Sequence, residues 1–536
     1  MTKLSLALSG LLFAALAARA EDLTLHTFKK IQLSDQFWSE GANFGDFNKD
    51  GVMDIVSGPY WWEGPDYKKR HEYYPTTKTF ELKLGPMTKV TVPGFHGTLG
   101  KENDYSDNFF AYTHDFNGDG WTDILIYGFP GLDASWYENP GKQAPTPAQS
   151  AAAQWITNIV FVTNSAATHQ RQSVQASRQD SEKGAKGLLP KAWRNPAPSQ
   201  NQGEETSAQV SKVLMVTQVP QQSSPTKEVS WTRHKVFDVV DNESPQWLDL
   251  TGDGKPEIIC NSGGYFGYVT PDWKNPAEKW TFHKITPKGG WQRFTHGLGL
   301  GDVNGDGKPD LLEANGWWEQ PTSLAGDPEW KQHKVPFAPA HGSAHMYAYD
   351  VNGDGLNDVI TSLAAHGYGL AWFEQLKERD EKGEVRFTQH NIMNPQINPK
   401  VPPAANEYGL RFSQLHAIDL VDMDGDGLKD IVTGKRIWAH GPGGDVEPNA
   451  PAVLYWFKLS RGADKSVQWL PYQIDGDSGI GTQVVAADIN GDNLPDVVVG
   501  NKKGTFVHIH SVKKVSREEW EKAQPKMVPP TSAANQ

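Results

Sequence analysis

The sequence predicts an all-β fold, a seven-bladed β-propeller completed by pairing of its N- and C-terminal strands. Three observations predict it. A nine-residue acidic loop of form D-x-[DN]-x-D-G-x-x-D recurs seven times. Each copy lies between two short apolar, β-rich runs; Leu415–Val421 and Ile431–Gly434, for example, flank Asp422–Asp430. The copies are spaced about 50–70 residues apart with two further β-rich elements in most intervals, which gives four strands per repeat.

The loop suits a hard cation. Ca2+ takes six to eight oxygens at about 2.3–2.6 Å from carboxylates, carbonyls and water. Positions 1, 3, 5 and 9 supply side-chain oxygens, the carbonyl of position 7 can add one, and the glycine at position 6 lets the chain turn back. The candidate ligands of the first three loops are Asp46, Asn48, Asp50 and Asp54; Asp115, Asn117, Asp119 and Asp123; and Asp249, Thr251, Asp253 and Glu257. Those of the next two are Asp302, Asn304, Asp306 and Asp310, then Asp350, Asn352, Asp354 and Asp358. The last two give Asp422, Asp424, Asp426 and Asp430, then Asp488, Asn490, Asp492 and Asp496. Thr251, Glu257 and Asn493, which takes the glycine position, depart from the pattern. A plain acidic turn is the competing explanation, and it gives no reason for a carboxylate at position 9. About seven structural Ca2+ are therefore expected.

In chain order, residues 1–20 read as a secretory signal. Lys3 gives the charged start, Leu4–Ala17 the apolar run, and Ala18-Arg19-Ala20 a small-x-small cleavage site. The predicted product is secreted or periplasmic and has no membrane span. The propeller is expected over residues 21–511. Leu25–Leu33 looks like a fourth strand that precedes the first loop, and Phe506–His510 like a third strand that ends the last repeat. Together they would complete one blade and remove two exposed sheet edges.

Within the repeats, Trp61-Trp62-Glu63, Trp136-Tyr137-Glu138, Trp317-Trp318-Glu319 and Trp372-Phe373-Glu374 mark third strands. The pattern aromatic-x-x-His-x-aliphatic, with His234, His283, His333 and His390, marks fourth strands and reads as structural. Residues 142–229, rich in Gln, Ser, Ala, Thr and Pro, read as a largely disordered insert in the second blade. Residues 512–536 read as a polar tail with a short helix.

The formal charge is −13, which argues against a nucleic-acid partner. The seven loops hold 22 carboxylates, so the acidity is mostly ligand charge, and seven Ca2+ would bring the protein near neutral. With Cys260 as its one cysteine the chain cannot form an internal disulfide. Millimolar external calcium can take over the stapling role that disulfides play in secreted chains. A monomer is expected.

The repeated loop between two β-strands resembles the FG-GAP/VCBS repeat, shared by integrin α-subunit propellers, fungal sugar-binding lectins and many secreted bacterial proteins. The resemblance covers nearly all of the expected mature chain outside the insert. It implies a calcium-loop propeller, and it spans adhesion modules, lectins and carbohydrate-active enzymes, so fold alone does not choose among them.

In that family the calcium loop follows the inner strand of each blade, so the strand starts lie at the opposite mouth of the channel. Six residues before each first Asp stand Glu40, Phe109, Glu243, His296, Ala344, His416 and Thr482; five before stand Gly41, Phe110, Ser244, Gly297, His345, Ala417 and Gln483. Loops between second and third strands add Tyr60, His366, Lys435, Arg436, Lys502 and Lys503 to this face. The candidate catalytic set is His296, His345, His416, Glu40, Glu243 and Arg436. Imidazoles with a carboxylate or amide can hold one transition metal, which would acidify a sugar C–H, with Lys435 or Arg436 stabilising an enolate.

The function expected first is a secreted, calcium-stabilised binding module for carbohydrate or glycoconjugate at that mouth. The alternative is a carbohydrate-active enzyme, a metal-assisted sugar lyase, dehydratase or isomerase. A protein-binding adhesion scaffold is the third. No Ser-His-Asp signature, phosphate-binding glycine loop or zinc-protease motif supports hydrolysis by those routes.

Overall fold

The computed structural model describes residues 23–75, 105–106, 108–141, 231–338, 342–441 and 443–528, together with the backbone of a hairpin, Thr79–Lys83 paired with Lys89–Pro93. The expected leader (1–20), the insert region (142–229) and the chain end lie outside these residues. The described part is all-β, with 29 strands and one helix, Arg517–Ala523. A capping box between Ser516 and Glu519 starts that helix. No described helix is long and apolar enough to cross a membrane.

The strands fall into four-stranded antiparallel units that repeat along the chain. The first unit holds Asn43–Gly45, Asp54–Ser57, Tyr60–Trp62 and Arg70–Glu72. The second holds Phe110–His114, Asp123–Tyr127, Leu132–Glu138 and the start of a long strand, Thr232–Leu248. The end of that long strand opens the third unit, followed by Glu257–Ser262, Tyr265–Thr270 and Thr281–Lys284. Units four to six begin with Leu298–Gly301, His345–Tyr349 and Ile418–Val421. The seventh comprises Val484–Ala487, Asp496–Asn501, Gly504–Lys514 and, as outermost strand, the N-terminal Thr24–Ser34. Thr24 pairs with Lys514 and Gln32 with Phe506, so the two chain ends share one sheet.

The second strand of each unit starts at the position-9 carboxylate and continues with at least two apolar residues. Asp123–Tyr127 and Asp358–Ser362 are buried along their whole length because both faces of the sheet are covered. The covering is systematic. Seven apolar clusters each join two neighbouring units; one combines Leu312, Trp317, Met346 and Val359 of units four and five. Another joins Ile55 and Trp62 of unit one to Val498 and Val507 of unit seven. A buried ring such as Trp136 removes about 150–250 Å² from water, so these stacks carry most of the driving force.

The Trp-aromatic-Glu strands and the outer-strand histidines form one device. Trp317 stacks on His333 at 4.0 Å between centroids, and His333 Nε2 lies 2.8 Å from Glu319. The same arrangement recurs for Trp136, His234 and Glu138; for Trp372, His390 and Glu374; and for Trp61, His71 and Glu63. The imidazole therefore packs on the third-strand tryptophan opposite it, not beside the aromatic of its own strand. His71 belongs to the set although its sequence surroundings hide it.

Candidate functional site

The acidic loops have a uniform geometry. In the fourth loop, Asp302 accepts the amides of Gly305, Asp306 and Gly307, Asn304 accepts that of Asp306, and Asp306 accepts that of Lys308. Position 9 is different. Asp310 is fully buried, and its two oxygens accept the amides of Val303 (2.9 Å) and Gln320 (2.9 Å). Asp54, Asp123, Asp358, Asp430 and Asp496 do the same with position 2 and with the end of the third strand. Glu257 instead turns its longer side chain onto Leu250 and Thr251. A position-9 carboxylate thus has a structural use of its own, as a strut tying loop to sheet, and its presence does not by itself require a metal.

The oxygen-only donor set at positions 1, 3 and 5 still fits a hard cation. Carboxylate oxygens of Asp422, Asp424 and Asp426 gather within 4.8 Å, as do those of Asp249, Asp253 and Glu257. In the sixth loop the Lys458 ammonium bridges Asp424 and Asp426, so a cationic group is drawn to this position.

At the other end of the inner strands four of the residues six before a loop, Glu40, Glu243, His296 and His416, converge. Glu40 lies against Arg436, whose Nε and Nη2 stand 3.2 and 3.1 Å from Glu40 Oε2. Arg436 Nη1 is 3.6 Å from Glu243 Oε2, and His416 Nε2 and His296 Nε2 are 3.0 and 3.5 Å from the same oxygen. His366 reaches in from the loop after Asp358–Ser362, its Nε2 2.9 Å from His296 Nε2. Glu40, His416 and Arg436 are fully buried, whereas His296 and His366 are half-buried.

The strand starts are held by short main-chain contacts. Thr482 N donates to Glu40 O (2.7 Å), Thr482 Oγ1 to Phe109 O (2.9 Å) and Glu243 N to Thr295 O (2.8 Å). A Cβ at Gly481 would fall 1.9 Å from Glu40 O, so only glycine admits this approach.

An aromatic rim borders the ionic cluster. Lys502 Nζ lies 3.9 Å from Glu40 Oε1 and 5.2 Å from the centre of the Tyr105 ring. Tyr105 packs on Phe129 (5.1 Å), Phe129 on Phe294 (5.6 Å), and the Phe294 carbonyl meets His296 Nδ1 at 2.8 Å. The contacts therefore close on themselves, from Glu40 through Lys502, Tyr105, Phe129, Phe294, His296, Glu243 and Arg436. Tyr105 and Phe294 are 37% and 43% exposed, which leaves part of each ring to solvent beside buried charge.

Charge in this cluster is strongly biased. Burial disfavours the Glu243 carboxylate, but the neighbouring His296 and His416 outweigh it and hold its pKa well below the ordinary value. Burial and then Arg436 push His416 down to about 3, and burial, His416 and His296 push His366 down as well. Lys435 is pushed down to about 8 by burial; its ammonium donates to Ser413 Oγ and the Val446 carbonyl and takes no part in the cluster.

Of the six residues expected to carry chemistry, Glu40, Glu243, His296, His416 and Arg436 meet here. His345 does not. It is buried elsewhere on its strand, its ring 6.4 Å from that of Phe110. His366 takes a place among the imidazoles instead, with His440 behind it at 4.5 Å between ring centroids. Tyr105, Phe129, Phe294 and His440 carry no repeat signature and could not be found by counting from the loops.

The fold and this site define a β-repeat protein with a polar cluster where its innermost strands begin. Residues 249–313 match the model of the FG-GAP-like repeat and residues 480–509 that of the FG-GAP repeat. The chain carries FG-GAP repeats over these two segments. No curated protein matches it. Among solved structures it is similar to a chain of the Photorhabdus luminescens Tc holotoxin pore, at 13% identity and TM-score 0.28 over 76% of this chain. It spans 14% of that chain. It is also similar to an Agrocybe aegerita lectin described as recognising non-reducing terminal N-acetylglucosamine. That match has 13% identity and TM-score 0.33, and covers 90% of this chain and 86% of the lectin.

Proposed function

We propose that the seven units close into a seven-bladed propeller, steadied by Ca2+ at the acidic loops, and that the protein is an exported binding module for carbohydrate. The cluster around Glu40, Arg436 and Glu243 is its binding site. One observation carries the carbohydrate reading: two exposed aromatic rings, Tyr105 and Phe294, border a buried set of charged hydrogen-bonding groups. Sugars offer an apolar C–H face and a fringe of hydroxyls, so they bind where a ring face and fixed polar groups lie side by side. The ion pairs are held from several units at once, so the polar groups are positioned before a ligand arrives.

In the acidic loops the oxygens of positions 1, 3 and 5 would hold calcium, which would staple each inner strand to the next. A second reading, a metal-assisted sugar lyase or dehydratase at the same mouth, is favoured by the three imidazoles gathered beside Glu243.

The test is a panel of neutral and acidic oligosaccharides, read by calorimetry, on the wild type and on a Tyr105→Ala/Phe294→Ala variant. Binding that weakens tenfold or more in the variant is expected. A wild type that binds none of the panel would sink the proposal.

A further inference from the structure

The geometry points to a transition-metal centre at the mouth, formed by His296, His366, His416 and Glu243, that takes one first-row divalent ion of the zinc class. The inference rests on the same site as the binding reading above and specifies its chemistry.

One ligand atom from each of the four residues lies within 4.8 Å of all the others. Ligands sharing a tetrahedral ion with bonds of about 2.0–2.1 Å stand about 3.3 Å apart. The observed separations bracket that value: 2.9 Å for His296 Nε2 to His366 Nε2, 3.0 Å for His416 Nε2 to Glu243 Oε2, and 3.5 Å for His296 Nε2 to Glu243 Oε2.

The hydrogen bonds of the rings give a second, independent argument. His296 Nδ1 faces the Phe294 carbonyl at 2.8 Å, which can only accept, so this nitrogen carries a proton and the neutral ring offers its Nε2 lone pair to the cluster. His366 Nδ1 stands 3.3 Å from the Gln414 side-chain amide, which orients the ring toward His296. The two Nε2 atoms face one another at 2.9 Å, a separation that a bridging proton or one shared cation would hold. Such outer-shell acceptors on Nδ1 are how proteins aim a histidine at a metal. His416 adds a fully buried imidazole whose Nε2 stands 3.0 Å from Glu243 Oε2.

Three imidazoles and one carboxylate select borderline ions over Ca2+ or Mg2+, which prefer oxygen alone. Glu243 supplies one negative charge, and Arg436 is engaged chiefly by Glu40, so a divalent ion leaves the centre with a net positive charge that an anionic sugar would meet.

The test uses the whole protein, stripped with a chelator, returned to Ca2+ so that the acidic loops are filled, and titrated with Co2+. One Co2+ per chain with the intense visible bands of a tetrahedral nitrogen-ligated ion, displaced by Zn2+, is expected. His366→Ala, at a half-buried position that folding should tolerate, is expected to weaken binding at least tenfold. Circular dichroism and the melting curve in Ca2+ check that the variant remains folded. Absence of those bands in the wild type, or titrations of His366→Ala and of a His296→Ala/His366→Ala variant that both match the wild type, would overturn the proposal. Stoichiometric Co2+ without glycan binding would sink the binding-module reading and uphold the metal centre. Glycan binding with no Co2+ uptake would do the reverse.

Discussion

Arg436 and Glu40 lie 396 positions apart in the chain and meet in a fully buried ion pair, with Arg436 Nη2 3.1 Å from Glu40 Oε2. Glu40 comes from the first unit and Arg436 from the sixth, so the contact spans the start and the late part of the chain. Removing one partner strands a buried charge, which costs about 3–5 kcal/mol. Glu40→Gln and Arg436→Met are each expected to lose stability of that order in urea unfolding, and the double variant less than their sum. Strict additivity would show that the two side chains do not act as a pair.

The strut at position 9 makes a separate claim about the acidic loops. Asp310→Ala leaves the buried amides of Val303 and Gln320 without an acceptor, at about 1–3 kcal/mol each. In EDTA, Asp310→Ala should therefore destabilise far more than Asn304→Ala, whose side chain sits at the exposed edge of the loop. Equal losses would mean that position 9 acts only through a bound ion.

Calcium itself is tested by titration. An ion that binds only the folded state at a hundred times its dissociation constant adds about 2.7 kcal/mol per site. The melting temperature is expected to rise with Ca2+, to fall by many degrees in EDTA, and to recover when Ca2+ is returned. A melting curve indifferent to both would leave the loops as metal-free turns.

His345 gives the pH prediction. Its pKa is pushed down to about 4 by burial alone, so the folded protein holds it neutral. The unfolded chain takes up the proton near its ordinary value of about 6.5, before the folded state does, so stability is lost as pH falls from about 6.5 toward 4. His345→Phe should flatten that part of the stability–pH curve and leave ligand or Co2+ binding unchanged. A loss of binding in this variant would return His345 to the functional site.

Counting back from the acidic loops finds most of the site because every loop fixes the same point of its inner strand. Glu40, Glu243, His296 and His416 all stand six residues before a first Asp, and all four enter the cluster. His345 stands five before, as the first residue of its strand, and its ring is buried with that of Phe110 at 6.4 Å, away from the cluster. Chemistry by residue type alone ranks His345 with the others; its one-residue offset in the repeat separates them.

The sequence by itself determined the repeat, its four β elements and the positions of the acidic loops, because each depends on spacing within about seventy residues. It could not assign the position-9 carboxylates, since whether an oxygen faces an ion or a backbone amide depends on how closely loop and third strand approach. Nor could it seat His366 beside His296, 70 positions earlier, or set Tyr105 and Phe294 on either side of Phe129. Those contacts arise between units, where packing of one sheet against the next fixes distance and direction, and no local pattern in the chain encodes them.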